Sequence, residues 1–573
     1  MAESILIRGG TVVDGLGAPS RTADVLIEDG IVAEIGRIDS AAARKIDADG
    51  LLVTPGWVDV HTHYDGQVYW DPLMTPSSWH GSTTAIMGNC GVGFAPARPD
   101  RHDALMELMH IIEDIPMETL RAGIPWGWES FAEYLDALDK TPRAIDVGVL
   151  VPHGAVRTYL MGERGIREPA NCEEIAAIAE MIGEAIEAGA LGCSANRNMR
   201  KDGLVPGSYA KDDELLAICR VVGKRDGIFQ TSPASMFGPE EWSPWRNEMD
   251  LVRRMSLAGD LRITFPLVQD HDDPDRWRQI MAVIDAANEA GAKLIPQILA
   301  RPLNAIMTLA GRHPFEKLPA YVKIAEGAPS NAALAARLRE PSARERVLAD
   351  AHRLLGDRAW FFDSLYHLGD PVDYEPDPAR SFSAEAKRQG LSPIDYAFDA
   401  LIAGEGEAMF LAVVANYAPG NGDVVFDMIN DPATIIGLGD GGAHCLGLLD
   451  VTTPTTVLTQ WVRDRSRGPR LPVEIAVREL SASTARAFGL YDRGVLAPGM
   501  RADVNLIDLE NLRMGQPHFA SDLPGNGRRL VQRATGYVGT FVKGEQILAN
   551  GEDTGARPGR TIRRSTARQP VAA

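Results

Sequence analysis

Cysteine is scarce in this chain. Five residues in 573 (Cys90, Cys172, Cys193, Cys219 and Cys445) form an odd set without CxxC spacing. That excludes a disulfide framework and leaves five thiols that read as reduced. Positive charge is also in deficit: 58 lysines and arginines face 78 acidic residues, for a net charge of −20 and a pI near 5.1. A surface of that sign does not hold phosphate backbones or anionic lipid by bulk charge, so nucleic acid and membrane are set aside as partners. The opening "MAESILIRGG" lacks a basic segment followed by an apolar stretch, and no run is long enough to cross a bilayer. Internal repeats and low-complexity segments are missing too. What is abundant is apolar residue, 45% of the chain, enough for a large core and more than one domain. A cytoplasmic enzyme acting on a small molecule is expected, with a homo-oligomer left open.

The first fifty-odd residues alternate apolar and polar positions between glycine turns, as in "SILIRGGTVVDG" and "ADVLIEDGIVAEIG", the pattern of a strand meander. It returns late, in "GVLAPGMRADVNLIDL" and "GYVGTFVKGEQILANGE". Between these ends, eight short β-rich pieces alternate with helical patterns: "GWVDVHTH", "TTAIMGN", "IDVGVLVPH", "ALGCS", "GIFQTS", "RITFPLV", "KLIPQI" and "TIIGLGDGG". This alternation predicts an α/β fold with a (β/α)8 TIM-like barrel, whose reactive residues lie at the C-terminal strand ends. Two more apolar runs, "RAWFFDSL" and "AMFLAVVAN", compete for the seventh or eighth strand. The stretch 300–400 reads as an elaborated loop with helices of its own. The basic tail "TGARPGRTIRRSTARQPVAA" is expected to fray.

"HTHYD" follows directly on "GWVDV". In a strand, residues i and i+2 face one side, so His61 and His63 project together into the barrel mouth, where two imidazoles can share one metal ion. Taken alone, the pair also reads as a loop cap and a core histidine. "GNCGVG" after the second strand candidate puts Cys90 in a glycine-framed turn at the same rim, where a thiolate approaches a cation with little steric cost. "GLGDGGAH" ends the last candidate strand with Asp440, a carboxylate in a position that also suits a turn former.

These four features, in this order and with the closing "RGVLAPGMRADVNLID", resemble the amidohydrolase superfamily, and within it the D-aminoacylase (N-acyl-D-amino-acid deacylase) branch. The resemblance spans nearly the whole chain. It implies a metal-dependent barrel over 57–485 with an insertion at about 300–430. A small β-sandwich would be built from 1–56 and 486–555, leaving 556–573 as a tail. It also implies that His61, His63 and Asp440 ligate one metal ion with Cys90 beside it, and that Asp440 acts as general base and acid. Imidazole with thiolate suits Zn2+ better than magnesium or calcium, and a cation there would activate water for hydrolysis. The branch supplies two further histidines from the fifth and sixth strands, where this chain has "GIFQTSPAS" and "RITFPLVQD", with Ser232 and Phe265 near those positions. One ion rather than two is therefore expected. The nearest histidine, His271, reads as part of an acidic loop.

Several residues remain as candidates. His153 follows the third strand and suits substrate binding or a local hydrogen bond. Arg197 and Arg200 lie beyond the fourth strand, where a guanidinium can pair with a substrate carboxylate. Asp65 reads as a brace for a histidine or as a helix cap, and His444 as pointing away on a following helix. Three functions are consistent with this set: hydrolysis of a linear amide of an N-acyl-D-amino acid or similar compound; the same barrel acting on a cyclic amide, lactone, carbamate or lyase substrate; and a degenerate barrel that binds a ligand without turnover.

Overall fold

In the computed structural model, which describes residues 4–42, 44–197, 205–234 and 244–564, all eight β-rich pieces become parallel strands. They are Trp57–Asp59, Ser82–Met87, Asp146–Pro152, Gly192–Asn196, Ile228–Ser232, Arg262–Pro266, Lys293–Ile298 and Ile435–Ile436, each hydrogen-bonded to the next in chain order. The third is buried along its whole length, which is why it reads as a nearly continuous apolar run and not as an alternation. The curl closes where the first and last strands meet. Thr62 bridges Gly441, the Asp440 N–H donates to the His61 carbonyl at 2.9 Å, and the His63 N–H donates to the Gly441 carbonyl at 2.7 Å. The outer helices follow from local signals. Helix Cys172–Ala188 starts on a capping box between Asn171 and Glu174, buries Ile178, Ile182 and Ile186 at four-residue spacing, and stops at Gly189.

The two β-rich ends meet in one nine-stranded mixed sheet. In it Val504–Ile507 pairs with Leu52–Pro55, and that strand with Ile5–Val12. Ile7, Val25, Val53, Leu506 and Phe541 are among the residues of its separate core. A buried ionic network of Arg493, Arg501, Asp146 and Asp503 ties this sheet to the third barrel strand, with Arg493–Asp146 at 2.8 Å and Arg501–Asp503 at 3.0 Å.

Neither competing apolar run is a barrel strand. Met409–Ala415 is the central strand of a three-stranded antiparallel sheet, flanked by Leu303–Thr308 and Leu365–His367; the other run forms a 3-10 turn leading into the last of these. With five helices between Pro319 and Leu401 this sheet packs a core of its own, including Phe315, Leu338, Phe382 and Phe398. That independent core lets such a long excursion stand between the seventh and eighth strands. Asn416 anchors it to the rim by exchanging two hydrogen bonds with Gln269, beyond the sixth strand. The described part of the tail, up to residue 564, is docked where an unbound end was expected. Thr561–Ile562 adds in parallel to the third strand, and Arg563 reaches Asp136 and Asp139 at 2.7 and 2.6 Å. Its basic residues find acidic partners on a strongly acidic body.

Candidate metal centre

The first barrel strand ends in "DVHTH", and the pleat sends Asp59, His61 and His63 to one side. Asp59 stays below, accepting the His61 N–H at 3.2 Å, and burial lifts its carboxyl to about 7. The His61 ring is fixed by Gln297 of the seventh strand, whose Oε1 lies 2.7 Å from Nδ1. Nδ1 is therefore the protonated nitrogen, and the Nε2 lone pair faces the barrel mouth. The two rings meet edge to face, 5.4 Å apart.

Cys90 arrives on the turn after the second strand. Gly88 adopts φ +78°, and a Cβ on it would lie 2.3 Å from the Leu150 carbonyl oxygen, so only glycine lets the turn pass the third strand this closely. Asp65, buried, accepts the Gly88 N–H at 3.1 Å, and Gln230 accepts the Cys90 N–H at 2.8 Å. Asp65 thus braces the cysteine turn; the short helix after it starts at Gly66 without a side-chain cap.

The result is a compact set of donors. Cys90 Sγ is 3.3 Å from His61 Nε2, and Asp440 Oδ1 is 3.4 Å from His61 Nε2 and 3.6 Å from His63 Nε2. His61, His63 and Cys90 offer ligand atoms within 4.8 Å of one another, and among the described residues no other such group is found. Bonds of 2.0–2.3 Å in tetrahedral geometry put ligand atoms about 3.3–3.7 Å apart, so the donors fit a divalent ion of zinc's size. The charges agree with that fit. Burial opposes ionisation of His61, yet Cys90 and Asp440 outweigh it and raise the imidazole to about 9. Burial likewise opposes charge on Asp440, but His63, His61 and His444 hold it well below the usual carboxylate range. The Cys90 thiol is lowered against burial by His61 and His63. A cavity that draws protons onto both imidazoles is one in which a cation is favoured.

Two further residues border the site, and of these only His444 draws attention in the sequence. Glu113, the last residue of helix His102–Glu113, is buried with Oε2 3.4 Å from His63 Nε2. Its helix looks like any amphipathic segment. His444 lies outside any helix, and it points toward the site: Nε2 is 3.8 Å from Glu113 and 4.0 Å from Asp440. At the fifth strand end Ser232 Oγ lies 3.6 Å from Cys90 Sγ, whereas Phe265 on the sixth is packed fully into the core. At the strand ends where the resemblance implies two more imidazoles, this chain has a hydroxyl and a hydrocarbon.

The proposed substrate contacts are engaged elsewhere. His153 Nε2 is 2.7 Å from Glu214, which also receives two hydrogen bonds from Arg157, all three buried. Arg197 turns its fork to Glu248, at 3.1 and 3.2 Å. Arg200 lies outside the described residues. His271 is half-buried and lines a cavity of about 450 Å3 with Tyr366, Val413 and Tyr417 of the insertion.

The chain is similar to known proteins over nearly its whole length. N-acyl-D-glutamate deacylase of Alcaligenes xylosoxydans xylosoxydans is 28% identical over 98% of this chain and 96% of its own length. N-acyl-D-aspartate deacylase of the same organism is 26% identical over 97% and 94%. Among solved structures, a D-aminoacylase variant with copper superposes with a TM-score of 0.65 at 23% identity, covering 98% of this chain and 99% of that one. The Bordetella bronchiseptica N-acyl-D-glutamate deacylase with zinc and a phosphonate inhibitor gives 0.64 at 23% identity, covering 98% and 100%. No helix among the described residues is long and apolar enough to cross a membrane. The model of the amidohydrolase family matches residues 44–548, nearly the full length, and the chain belongs to that family.

Proposed function

We propose that the protein hydrolyses a linear amide, that of an N-acyl-D-amino acid or a similar small molecule, at the rim of the barrel. The observation that carries this reading is the convergence of His61, His63 and Cys90 on one point, with an Asp440 oxygen 3.4 and 3.6 Å from the two imidazoles, where the first and last strands meet. Full-length similarity to two N-acyl-D-amino-acid deacylases supports the substrate class. A single zinc ion held by these four residues would supply Lewis acidity toward water and the amide carbonyl.

The remaining work falls to the protein's own groups. Gln297 holds His61 in the tautomer whose Nε2 can donate a lone pair. The Gly88 turn presents the Cys90 sulfur without moving the strand. Asp440 Oδ1 faces the imidazoles while Oδ2 faces His444 and the outside. The Asp440 carboxylate accepts the proton of the attacking water and returns it to the departing amine. The insertion, anchored through Asn416 and Gln269, forms a wall that selects the acyl group.

One observation favours a second reading. The Arg197 fork is occupied by Glu248 and that of Arg301 by Asp450 at 2.7 Å, so neither is free to meet a substrate carboxylate. A cyclic amide, lactone or carbamate needs no such contact. His61→Ala and Asp440→Ala are each expected to abolish turnover while leaving the thermal transition cooperative. Full activity in either variant rejects the mechanism. A screen of the zinc-loaded enzyme against linear N-acyl D- and L-amino acids separates the readings. Activity on the D-series supports the first, cleavage confined to cyclic amides or lactones the second, and binding without turnover a non-catalytic role.

A further inference from the structure

We propose that the fifth barrel strand serves the metal centre through Cys90: Gln230 is a positioning residue that fixes the cysteine by its backbone N–H, and the Ser232 hydroxyl bonds the cysteine sulfur. The inference rests on the reading of the centre as a metal site, and it gives a function to a strand end that carries no ligand of its own.

The pleat of strand Ile228–Ser232 sends Ile228, Gln230 and Ser232 to the barrel interior, where Ile228 packs in one cluster with Ile86 and Leu150. Gln230 is fully buried. Its Oε1 accepts the Cys90 N–H at 2.8 Å, and because a backbone N–H only donates, that bond fixes which way the amide faces. Nε2 is then left inside the barrel with no hydrogen-bond partner among the described residues. A leucine or methionine would fill the same space without an unpaired donor. The stranded nitrogen is a cost that the bond to Cys90 offsets.

Cys90 needs such a hold. Its φ of 53° is left-handed, a conformation unfavourable to any residue with a side chain. Three N–H groups of the turn each meet a side chain from a different element: Gly88 donates to Asp65 at 3.1 Å, Cys90 to Gln230, and Gly91 to Ser194 Oγ of the fourth strand at 2.9 Å. Ser194 also donates to the Gly88 carbonyl. Asp65 and Ser194 thus secure the flanking glycines, whereas Gln230 acts on the cysteine itself. Rotation of that peptide swings the sulfur, and a zinc–sulfur bond tolerates only about 0.2 Å. From the same strand, Ser232 Oγ lies 3.6 Å from Sγ, within reach for a hydroxyl that donates to a thiolate.

The seventh strand does the same for an imidazole. Gln297 places its Oε1 at His61 Nδ1, and its Nε2 is likewise buried without a partner. Two glutamines on strands five and seven therefore each hold one donor residue by the amide oxygen and leave the amide nitrogen unpaired. Their tasks are separable. Loss of Gln297 disturbs the imidazole with the sulfur in place, and loss of Gln230 disturbs the sulfur with the imidazole in place.

Titration of the full-length protein with Co2+ tests the proposal, because a thiolate bound to cobalt gives a near-ultraviolet sulfur-to-metal charge-transfer band. The wild type is expected to show that band. Gln230→Met, close in length but without an acceptor, should bind Co2+ at least about tenfold more weakly and lose more than about half of the band per bound ion. Gln230→Glu, which keeps an acceptor, should stay within about threefold of wild type in affinity and retain the band. Gln297→Leu should weaken binding and keep the band. Ser232→Ala should move the band to longer wavelength, since a hydrogen bond lowers the energy of the sulfur electrons, and it carries the test if Gln230→Met does not fold. In the metal-free proteins, deuterium exchange at the Cys90 amide should be at least about tenfold faster in Gln230→Met, with exchange in the terminal β-sheet unchanged. Wild-type affinity and band in Gln230→Met, unchanged exchange at Cys90, or an unmoved band in Ser232→Ala overturns the proposal. Bound cobalt without a sulfur band in the wild type also overturns it and leaves the metal centre standing. A wild type that binds no cobalt overturns the metal reading and this inference with it.

Discussion

Gln297 makes no contact with substrate in the proposed reaction, yet it decides which nitrogen of His61 is available. Its Oε1 lies 2.7 Å from Nδ1, and the side chain is clamped: a Cβ placed on Gly437 would meet that oxygen at 2.7 Å. Gln297→Leu keeps the approximate volume and removes the acceptor. The Nδ1–H then loses its partner in a fully buried site, and the ring is free to rotate or to take the other tautomer, in which Nε2 carries the proton and cannot ligate. Loss of such an outer partner weakens metal affinity about 10- to 100-fold, or about 1.4–2.8 kcal/mol. Gln297→Glu keeps an acceptor and adds charge, which makes the imidazole a stronger donor, so its affinity is expected to match or exceed that of wild type. Competition with a chromogenic zinc chelator measures all three constants, with circular dichroism as the control for folding. A Gln297→Leu affinity within twofold of wild type would refute the tautomer argument.

Two further predictions concern the scaffold. Gly88→Ala places a Cβ against the Leu150 carbonyl at a left-handed position, so urea denaturation should show a loss of about 2–4 kcal/mol; a change under 0.5 kcal/mol contradicts the reading of that turn. His80, fully buried, meets the Thr455 hydroxyl at Nδ1 and donates from Nε2 to the Gln532 carbonyl, neutral partners that satisfy the ring without supplying a counter-charge. Burial lowers it from 6.5 to about 4. The folded value lies below the unfolded one. The corresponding stability, on the order of 3 kcal/mol, is therefore fully present above pH 6.5 and is lost as pH falls through 4. His80→Gln should flatten the thermal-transition profile between pH 6.5 and 4, and an unchanged slope there would reject the assignment.

The barrel was legible because each of its strands carries its own signal, a short apolar run between helical patterns. "AMFLAVVAN" carries the same signal, and only its antiparallel partners, far away in sequence, distinguish it from a barrel strand. His61, His63, Cys90 and Asp440 were legible because they stand at strand ends, where a local motif marks the direction of a side chain. Glu113 was not, since "MHIIEDIP" differs in nothing from the end of a surface helix, and its place beside His63 arises from tertiary packing. The same packing redirects Arg197 to Glu248 and His153 to Glu214, partners 51 and 61 residues away that no spacing rule pairs. The tail reads as loose because its arginines are informative only once the acidic residues they meet are known.

Anomalous diffraction at the zinc edge from crystals of the zinc-loaded protein tests the central claim most directly. The account predicts a peak within about 2.0–2.3 Å of His61 Nε2, His63 Nε2 and Cys90 Sγ, with an Asp440 oxygen at the same range. A map with no peak between the two rings, or with the rings turned apart around packed hydrocarbon, would contradict it.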